Sequence, residues 1–392
     1  MIKSLIKIKK FIERFKDLSS LGLGIGIANA MGGIFWFFMA ALLGTEKYGE
    51  VSYLISIGII ASMISLIGSG NTITVYGAKG VKIQPPIFLI VLLSSIITST
   101  VLFFIFVNDF SVSLYVIGYA IFMLITSDLL GKKLYENYSK FIIIQKILMI
   151  TLATGFFYIF SIQGIVLGIA ISFFPFGFLI YKEFKNTKMD FSLVSSRVGF
   201  IFNNYLLDLT KAFNGSLDKL IIAPMLGFAL LGNYQLGVQF IALLHIIPGI
   251  VFQYTLSHDA TGNPNKSLKK IIILISVLLA FLSIILAPIV LPVIFPKFVE
   301  AIEIIQIMSI AIIPATVITT YISKFLGTAQ SKIVLIGSGL YLGIQIPAIL
   351  ILGAIWGVNG AAVSIVIATT IHAIYFMLID RFLAESEKIK NS

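Results

Sequence analysis

Basic clusters and apolar stretches alternate along this chain, and the alternation decides which solvent it can fold in. Of its 28 Lys and Arg residues, about 23 fall in every second gap between apolar stretches, while the intervening gaps carry only Lys47 and Lys297. Juxtamembrane Lys and Arg resist translocation, so the basic gaps are expected in the cytoplasm and the near-uncharged gaps outside. A multi-pass protein of the cell membrane with both termini cytoplasmic is the expected class.

Composition agrees. A chain that is 58% hydrophobic and 11% charged, with mean hydropathy +1.05, lacks the polar surface a water-soluble domain needs. The net charge of +11 would suggest nucleic acid in a soluble protein. Here it is spread over short cytoplasmic loops, where anionic lipid is the natural counter-charge, so the bilayer is an expected partner and nucleic acid is not. With no Cys, disulfides, thiol catalysis and Cys-ligated zinc are excluded. His245, His258 and His372 are too scattered for a local metal motif. No cofactor is expected.

Met1 to Leu18 mixes Ile and Phe with Lys3, Lys7, Lys9, Lys10, Arg14 and Lys16, as in a basic amphipathic helix on the cytoplasmic surface. The apolar stretch after it is too long and lacks the small-residue site of a cleavable signal. Stretches of about 20 apolar residues, enough to cross a hydrocarbon core of about 30 Å, fall near 19–43, 50–70, 86–107, 111–130, 140–160 and 162–182. After a polar linker they resume near 199–225, 230–256, 269–294, 301–323, 332–352 and 356–379. The expected fold is an all-α membrane protein of about twelve spans in two six-helix lobes around a central cavity. Its parts are a basic segment 1–18, an N-lobe 19–182, a linker 183–198, a C-lobe 199–380 and a cytoplasmic tail 381–392.

A weak internal repeat supports two like halves. Leu43-Gly44 followed by Gly49 is echoed by Leu226-Gly227 followed by Gly232, and Ile162-Gln163-Gly164 by Ile355-Trp356-Gly357. Matching positions keep the same membrane orientation, so the repeat is parallel. The outer gaps are short, offering little beyond Asn108-Asp109 and Pro296-Lys297-Phe298-Val299-Glu300. That leaves no platform for chemistry on the outer face, so transport through a cavity is favoured over an enzyme.

Polar residues concentrate in the seventh span. Asn204, Asp208, Lys211, Gly215 and Asp218 follow helical spacing and share one face. Charge at membrane depth costs about 2.5 to 3.5 kcal/mol per residue at a helix centre, so such groups turn to a wet interior or pair with one another. Lys211 falls near the midplane and is the first candidate to line the cavity. An Asp208 to Lys211 ion pair that satisfies itself between packed helices is the plain alternative. Lys146 in the fifth span could instead snorkel to the headgroups, and Asp128 reads as a solvated helix end. Asn29 sits in a first span rich in glycine, at Gly22, Gly24, Gly26, Gly32 and Gly33, and Gln235 and Gln239 are one turn apart on the eighth. Lys219 completes the candidate set.

Several of these runs resemble one family. Ala41-Leu42-Leu43-Gly44-Thr45-Glu46-Lys47-Tyr48-Gly49 looks like the first outer turn of polysaccharide-export flippases. Leu217-Asp218-Lys219-Leu220, with Leu226-Gly227 and Leu231-Gly232-Asn233-Tyr234, resembles their seventh and eighth spans. Ala287-Pro288 to Phe295, Phe325-Leu326-Gly327 and Trp356-Gly357-Val358-Asn359-Gly360-Ala361-Ala362 are similar to their C-terminal half. The pieces point to the O-antigen flippase and polysaccharide transporter branch of the multidrug/oligosaccharidyl-lipid/polysaccharide (MOP) exporter superfamily. The resemblance implies alternating access that moves a polyprenyl diphosphate-linked oligosaccharide to the outer leaflet, with glycan-assembly proteins as candidate partners. Lys211 would meet the diphosphate, with Lys146 and Lys219 next. Two other readings stay open: a multidrug exporter coupled to H+ or Na+, which Asp208 could serve, and a membrane-embedded glycosyltransferase or polymerase.

Overall fold

The computed structural model describes residues 2–105, 110–260, 265–328 and 330–391. The side chains of 2–20, 253–254, 256–258, 260, 266 and 386–391 lie outside that description. So do Met1, Asn108, Asp109 and Ser392 altogether, and with them the second expected outer gap.

Among the described residues the chain is helical throughout, with no strand. In order come α1 (Ile2–Leu43), α2 (Thr45–Leu66), α3 (Ser69–Ala78), α4 (Gln84–Ile105), α5 (Phe110–Gly131) and α6 (Tyr135–Ile171). A 3-10 turn at Phe174–Gly177 leads to α7 (Phe178–Asn186), a single turn α8 (Ser192–Ser195) and α9 (Val198–Leu226). Then follow α10 (Phe228–Leu244), α11 (Ile246–Ala260), α12 (Lys266–Ile294), α13 (Ala301–Ile310), α14 (Ile312–Gly327) and α15 (Ser331–Asn391).

Among the described residues, eight helical stretches are long and apolar enough to cross a membrane, and nine if α10 and the start of α11, bent by 43° at His245, count as one. Two of them are doubled. Tyr135–Asn186 has 52 residues and Ser331–Glu385 has 55, each about 80 Å at 1.5 Å per residue against a core of about 30 Å. Each folds back at one residue of positive φ, Ser161 (φ 58°, ψ −136°) and Gly357 (φ 61°, ψ −140°). Counting both arms gives eleven crossings. The 29-residue α9, about 44 Å long, is long enough to be a twelfth, but its Asp208, Lys211, Asp218 and Lys219 keep it out of the apolar set.

The outer surface is that of a protein solvated by lipid. The window of α12 with mean hydropathy 3.0 is only 22% buried, and Leu274, Phe281, Ile289 and Val293 point outward from it, Val293 at 80% exposure. In water such a face would drive aggregation; in hydrocarbon it costs nothing. This is a multi-pass membrane protein.

Boundaries differ from expectation where backbone chemistry overrides hydropathy. The second span, expected at 50–70, starts at Thr45 and stops at Leu66, because Ile67 (φ 48°) and Gly68 (φ 68°) turn left-handed and break the helix. The tenth is divided at Ala311, ahead of Pro314. Asp128, expected as a solvated helix end, is 7% exposed.

The chain forms two compact units. One comprises residues 1–35 and 54–212, the other 36–53 and 213–392. Their borders cut through α1 and α9 rather than falling in the linker at 183–198, where the lobes were expected to divide. Within the first unit, Phe88, Ile73, Ile83 and Leu124 are fully enclosed at the centre of a core spanning α2 to α7. Lys132 bridges Asp128 (2.7 Å) and Glu183 (2.8 Å) at one end, and Gln84 donates to Asp128 (3.1 Å). Burial lowers the Lys132 pKa, but its two carboxylate partners more than offset that and hold it above the usual value. The second unit has one core around Ile222, Tyr234, Ile304, Met308 and Ile349 and another around Phe325 and Phe376.

The repeat is structural, and in part its register is corrected. In the second unit, Gly44 (φ 75°) and Gly227 (φ 90°) occupy equivalent turns. A Cβ on Gly49 would stand 1.9 Å from the Phe228 carbonyl oxygen, and one on Gly232 would stand 1.9 Å from that of Thr45. The two contacts exchange under one shift of 183 positions (49 to 232, 45 to 228), which is the signature of a local two-fold between α2 and α10. The other match was three residues out of register. A Cβ on Gly164 would stand 2.1 Å from Phe156 O, and one on Gly360 would stand 1.9 Å from Leu352 O, so Gly164 corresponds to Gly360 and Ser161 to Gly357.

Candidate substrate-binding residues

The first unit holds five of the nine candidates. On α9, Asp208 is mostly enclosed (side chain 19% exposed) whereas Lys211 is 70% exposed, and their charged atoms stand 3.4 Å apart. Such a loose, solvated pair contributes little to stability. Tyr119 of α5 lies within electrostatic range of Asp208. Asn204, one turn earlier, is buried and donates to the Phe200 carbonyl of its own helix (2.8 Å). Asn29 of α1 is exposed.

Lys146 sits about 16 Å along α6 from its first residue, Tyr135, and six residues beyond Lys140, which is exposed and paired with Glu136. It faces α1 at Gly32, where an added Cβ would meet Lys146 Cε at 3.9 Å and Nζ at 4.0 Å. The polar contact of its ammonium is the Met149 sulfur at 3.9 Å. Among the described residues no carboxylate forms an ion pair with it.

In the second unit, Asp218 and Lys219 are both 6% exposed and are satisfied by one another and their neighbours. The Asp218 carboxylate accepts from the Tyr234 hydroxyl (2.7 Å) and from the Lys219 amide (2.9 Å). The Lys219 ammonium stands 3.5 Å from Asp218 Oδ1 and donates to the Gly215 carbonyl at 2.6 Å. Adjacent residues on a helix do not face each other, so the spacing gave no hint of this pair; the flexible lysine stem closes it by reaching back one turn. Gln235 and Gln239 are half-buried on α10.

Thus α9 carries a polar face whose parts differ in kind: Asn204 and Asp218 enclosed, Lys211 and Gly215 open. Outside the membrane segments, Asp190 of the linker has its carboxyl held below the usual range by the Ser192 hydroxyl and backbone amide. Among the described residues no three His, Cys, Asp or Glu converge as metal ligands.

No family model and no curated protein matches this chain. Solved structures do. A multidrug resistance MATE family transporter of the MOP superfamily, in an inward-facing conformation, superposes with a TM-score of 0.71 at 14% identity, over 96% of this chain and 100% of that one. The lipid II flippase MurJ, inward closed, gives 0.72 at 15% identity over 91% and 87%. A MOP superfamily transporter from Pyrococcus furiosus, described as having a binding pocket of reversed polarity, gives 0.57 at 17% over 95% and 94%. At such identities the likeness concerns the fold, and it is the same for drug exporter and flippase. The chain therefore has the fold of the MOP superfamily transporters.

Proposed function

We propose that this protein is a flippase that carries a polyprenyl diphosphate-linked oligosaccharide from the cytoplasmic to the outer leaflet for cell-surface glycan assembly. The observation that carries the reading is Lys146: an ammonium within the fifth span, facing a glycine of α1, with no carboxylate in ion-pair range among the described residues. A cation held there at a cost of about 2.5 to 3.5 kcal/mol calls for an anionic partner, which a diphosphate supplies. A cationic drug would be repelled. The open Lys211, only loosely paired with Asp208 at 3.4 Å, adds a second ammonium in the same unit. The apolar tail of the carrier stays in lipid while the sugars occupy a wetted interior, as alternating access requires.

The test is transbilayer movement of a polyprenyl diphosphate oligosaccharide in proteoliposomes. Wild-type movement that falls at least tenfold in both Lys146→Ala and Lys211→Ala, at equal folded protein, supports the reading. Undiminished movement in both variants discards these two residues as the headgroup site. Absence of movement with every glycan tried, together with proton- or sodium-dependent efflux of organic cations, would replace the reading by drug export.

A further inference from the structure

The second unit contains a cavity of about 680 Å³ among the ends of α11, α12, α14 and α15. Its size falls within the roughly 300 to 1,000 Å³ usual for small-ligand sites. Polar walls come from Asp259, Lys269, Lys270, Thr320, Tyr321, Lys324, Thr328 and Asp380, while Ile273, Val317 and Met377 give an apolar side. All three basic gaps that meet here belong to the face assigned to the cytoplasm.

The charges are arranged, not scattered. Asp259 is 7% exposed, and its Oδ2 accepts from Lys269 Nζ (2.5 Å) and from the buried Ser323 hydroxyl (2.5 Å), tying α11 to α12 and α14. Its Oδ1 is buried and has no hydrogen-bond partner among the described residues. A buried carboxylate oxygen left unmatched carries a desolvation cost that a donor from a ligand would remove. Lys324 pairs with Asp380 across α14 and α15. That leaves Lys270, exposed at the rim, with no ion pair among the described residues. Three ammonium groups against two carboxylates give the site a net positive charge beside an apolar wall.

We propose that this cavity binds the headgroup of an anionic phospholipid of the cytoplasmic leaflet, of the phosphatidylglycerol type. The phosphate sits against Lys270, a headgroup hydroxyl donates to Asp259 Oδ1, and the acyl chains leave along Ile273, Val317 and Met377. Net charge, the unmatched acceptor and the apolar wall each select one part of that molecule. The first unit offers a contrast: there each oxygen of the Asp128 carboxylate has a donor, Gln84 on one and Lys132 on the other. The site is separate from the proposed headgroup residues Lys146 and Lys211, so its test does not depend on transport.

Binding of dioctanoyl phosphatidylglycerol to the purified full chain in neutral detergent, followed by native mass spectrometry and calorimetry, tests this. Saturable binding is expected, with dioctanoyl phosphatidylcholine and phosphatidylethanolamine about tenfold weaker or more, because their headgroup cation adds a like charge beside Lys269, Lys270 and Lys324. Lys270→Ala, at an exposed position, should weaken phosphatidylglycerol about tenfold while leaving lipid-free thermal stability unchanged. Met377→Trp should block the cavity and abolish the signal. Equal affinity for the zwitterionic lipids would overturn the proposal, as would binding untouched by both variants. Glycerol 3-phosphate binding as tightly as the lipid would make this a soluble-phosphate site instead. Farnesyl diphosphate displacing phosphatidylglycerol at lower concentration would reassign it to the transported substrate.

Discussion

Replacing Gly49 by alanine adds one methyl group where there is no room for it. The new Cβ would stand 1.9 Å from Phe228 O, 2.8 Å from Gly232 N and 2.9 Å from Phe228 C, and all three are backbone atoms. Opening the first contact to the 3.0 Å that real Cβ atoms respect moves α2 and α10 apart by about 1.1 Å. No side chain can rotate away, so the helices themselves must shift. Between membrane helices there is little hydrophobic drive to hold them together, and close backbone approach with Cα–H to carbonyl contacts does much of the work. Overpacking of this kind costs about 1 to 3 kcal/mol, against which the helix-propensity gain of Gly to Ala, about 0.5 to 1 kcal/mol, is smaller. Gly49→Ala should therefore lower the temperature of unfolding in detergent, and Gly232→Ala, its partner across the local two-fold, should do the same. Gly343→Ala on α15 is the control: nothing lies within 4 Å of its added Cβ, so it should be neutral or slightly stabilising. The measurement is a thermal-aggregation or intrinsic-fluorescence melt of the three variants beside wild type. If Gly49→Ala melts with Gly343→Ala, the close approach of α2 and α10 is not a feature of the protein.

Ser161 adopts at the first hairpin the backbone that Gly357 adopts at the second, a conformation costing a non-glycine residue about 1 to 3 kcal/mol. Ser161→Gly should raise the melting temperature and Gly357→Ser should lower it, read in the same assay; equal shifts of one sign would refute the equivalence. Within the Asp218, Lys219 and Tyr234 cluster, removing one charge strands the other. Asp218→Asn and Lys219→Met are each expected to cost about 3 to 5 kcal/mol, and the double variant less than either. An additive double-mutant cycle would show that the two groups are not partners.

Much of the architecture was written in the chain because hydropathy and basic flanks act locally. Each span needs only its own apolar length, and each basic gap only its own lysines, so the all-α membrane class could be read without tertiary knowledge. Gly44 and Gly227 were legible for a similar reason: a positive φ is a local demand that glycine meets most cheaply. Where the reading slipped, the missing information was non-local or stereochemical. The end of α2 at Leu66 is set by two left-handed residues inside an otherwise apolar run, and the approach of Lys146 to Gly32 by the packing of two helices far apart in sequence. The repeat of Gly164 was misaligned because composition around both turns is uniformly apolar, and only the approach to Phe156 and Leu352 sets the register.

Candidate residues divide along the same line. Periodicity alone was enough to put Asn204, Asp208, Lys211 and Asp218 on one face of α9, because 3.6 residues per turn is a property of the helix itself. It could not say that Asp218 and Lys219 would be enclosed with Tyr234 while Lys211 stays open. Nor could it assemble Asp259, Lys269 and Ser323, which three different helices deliver to one carboxylate oxygen. By itself the sequence determined the solvent and the helical class, since those follow from transfer free energies summed along a segment. The tertiary structure decided which charges are paired, which are left open and where a cavity remains, because a polar group's cost in the membrane depends on the neighbours that packing brings within about 3 Å.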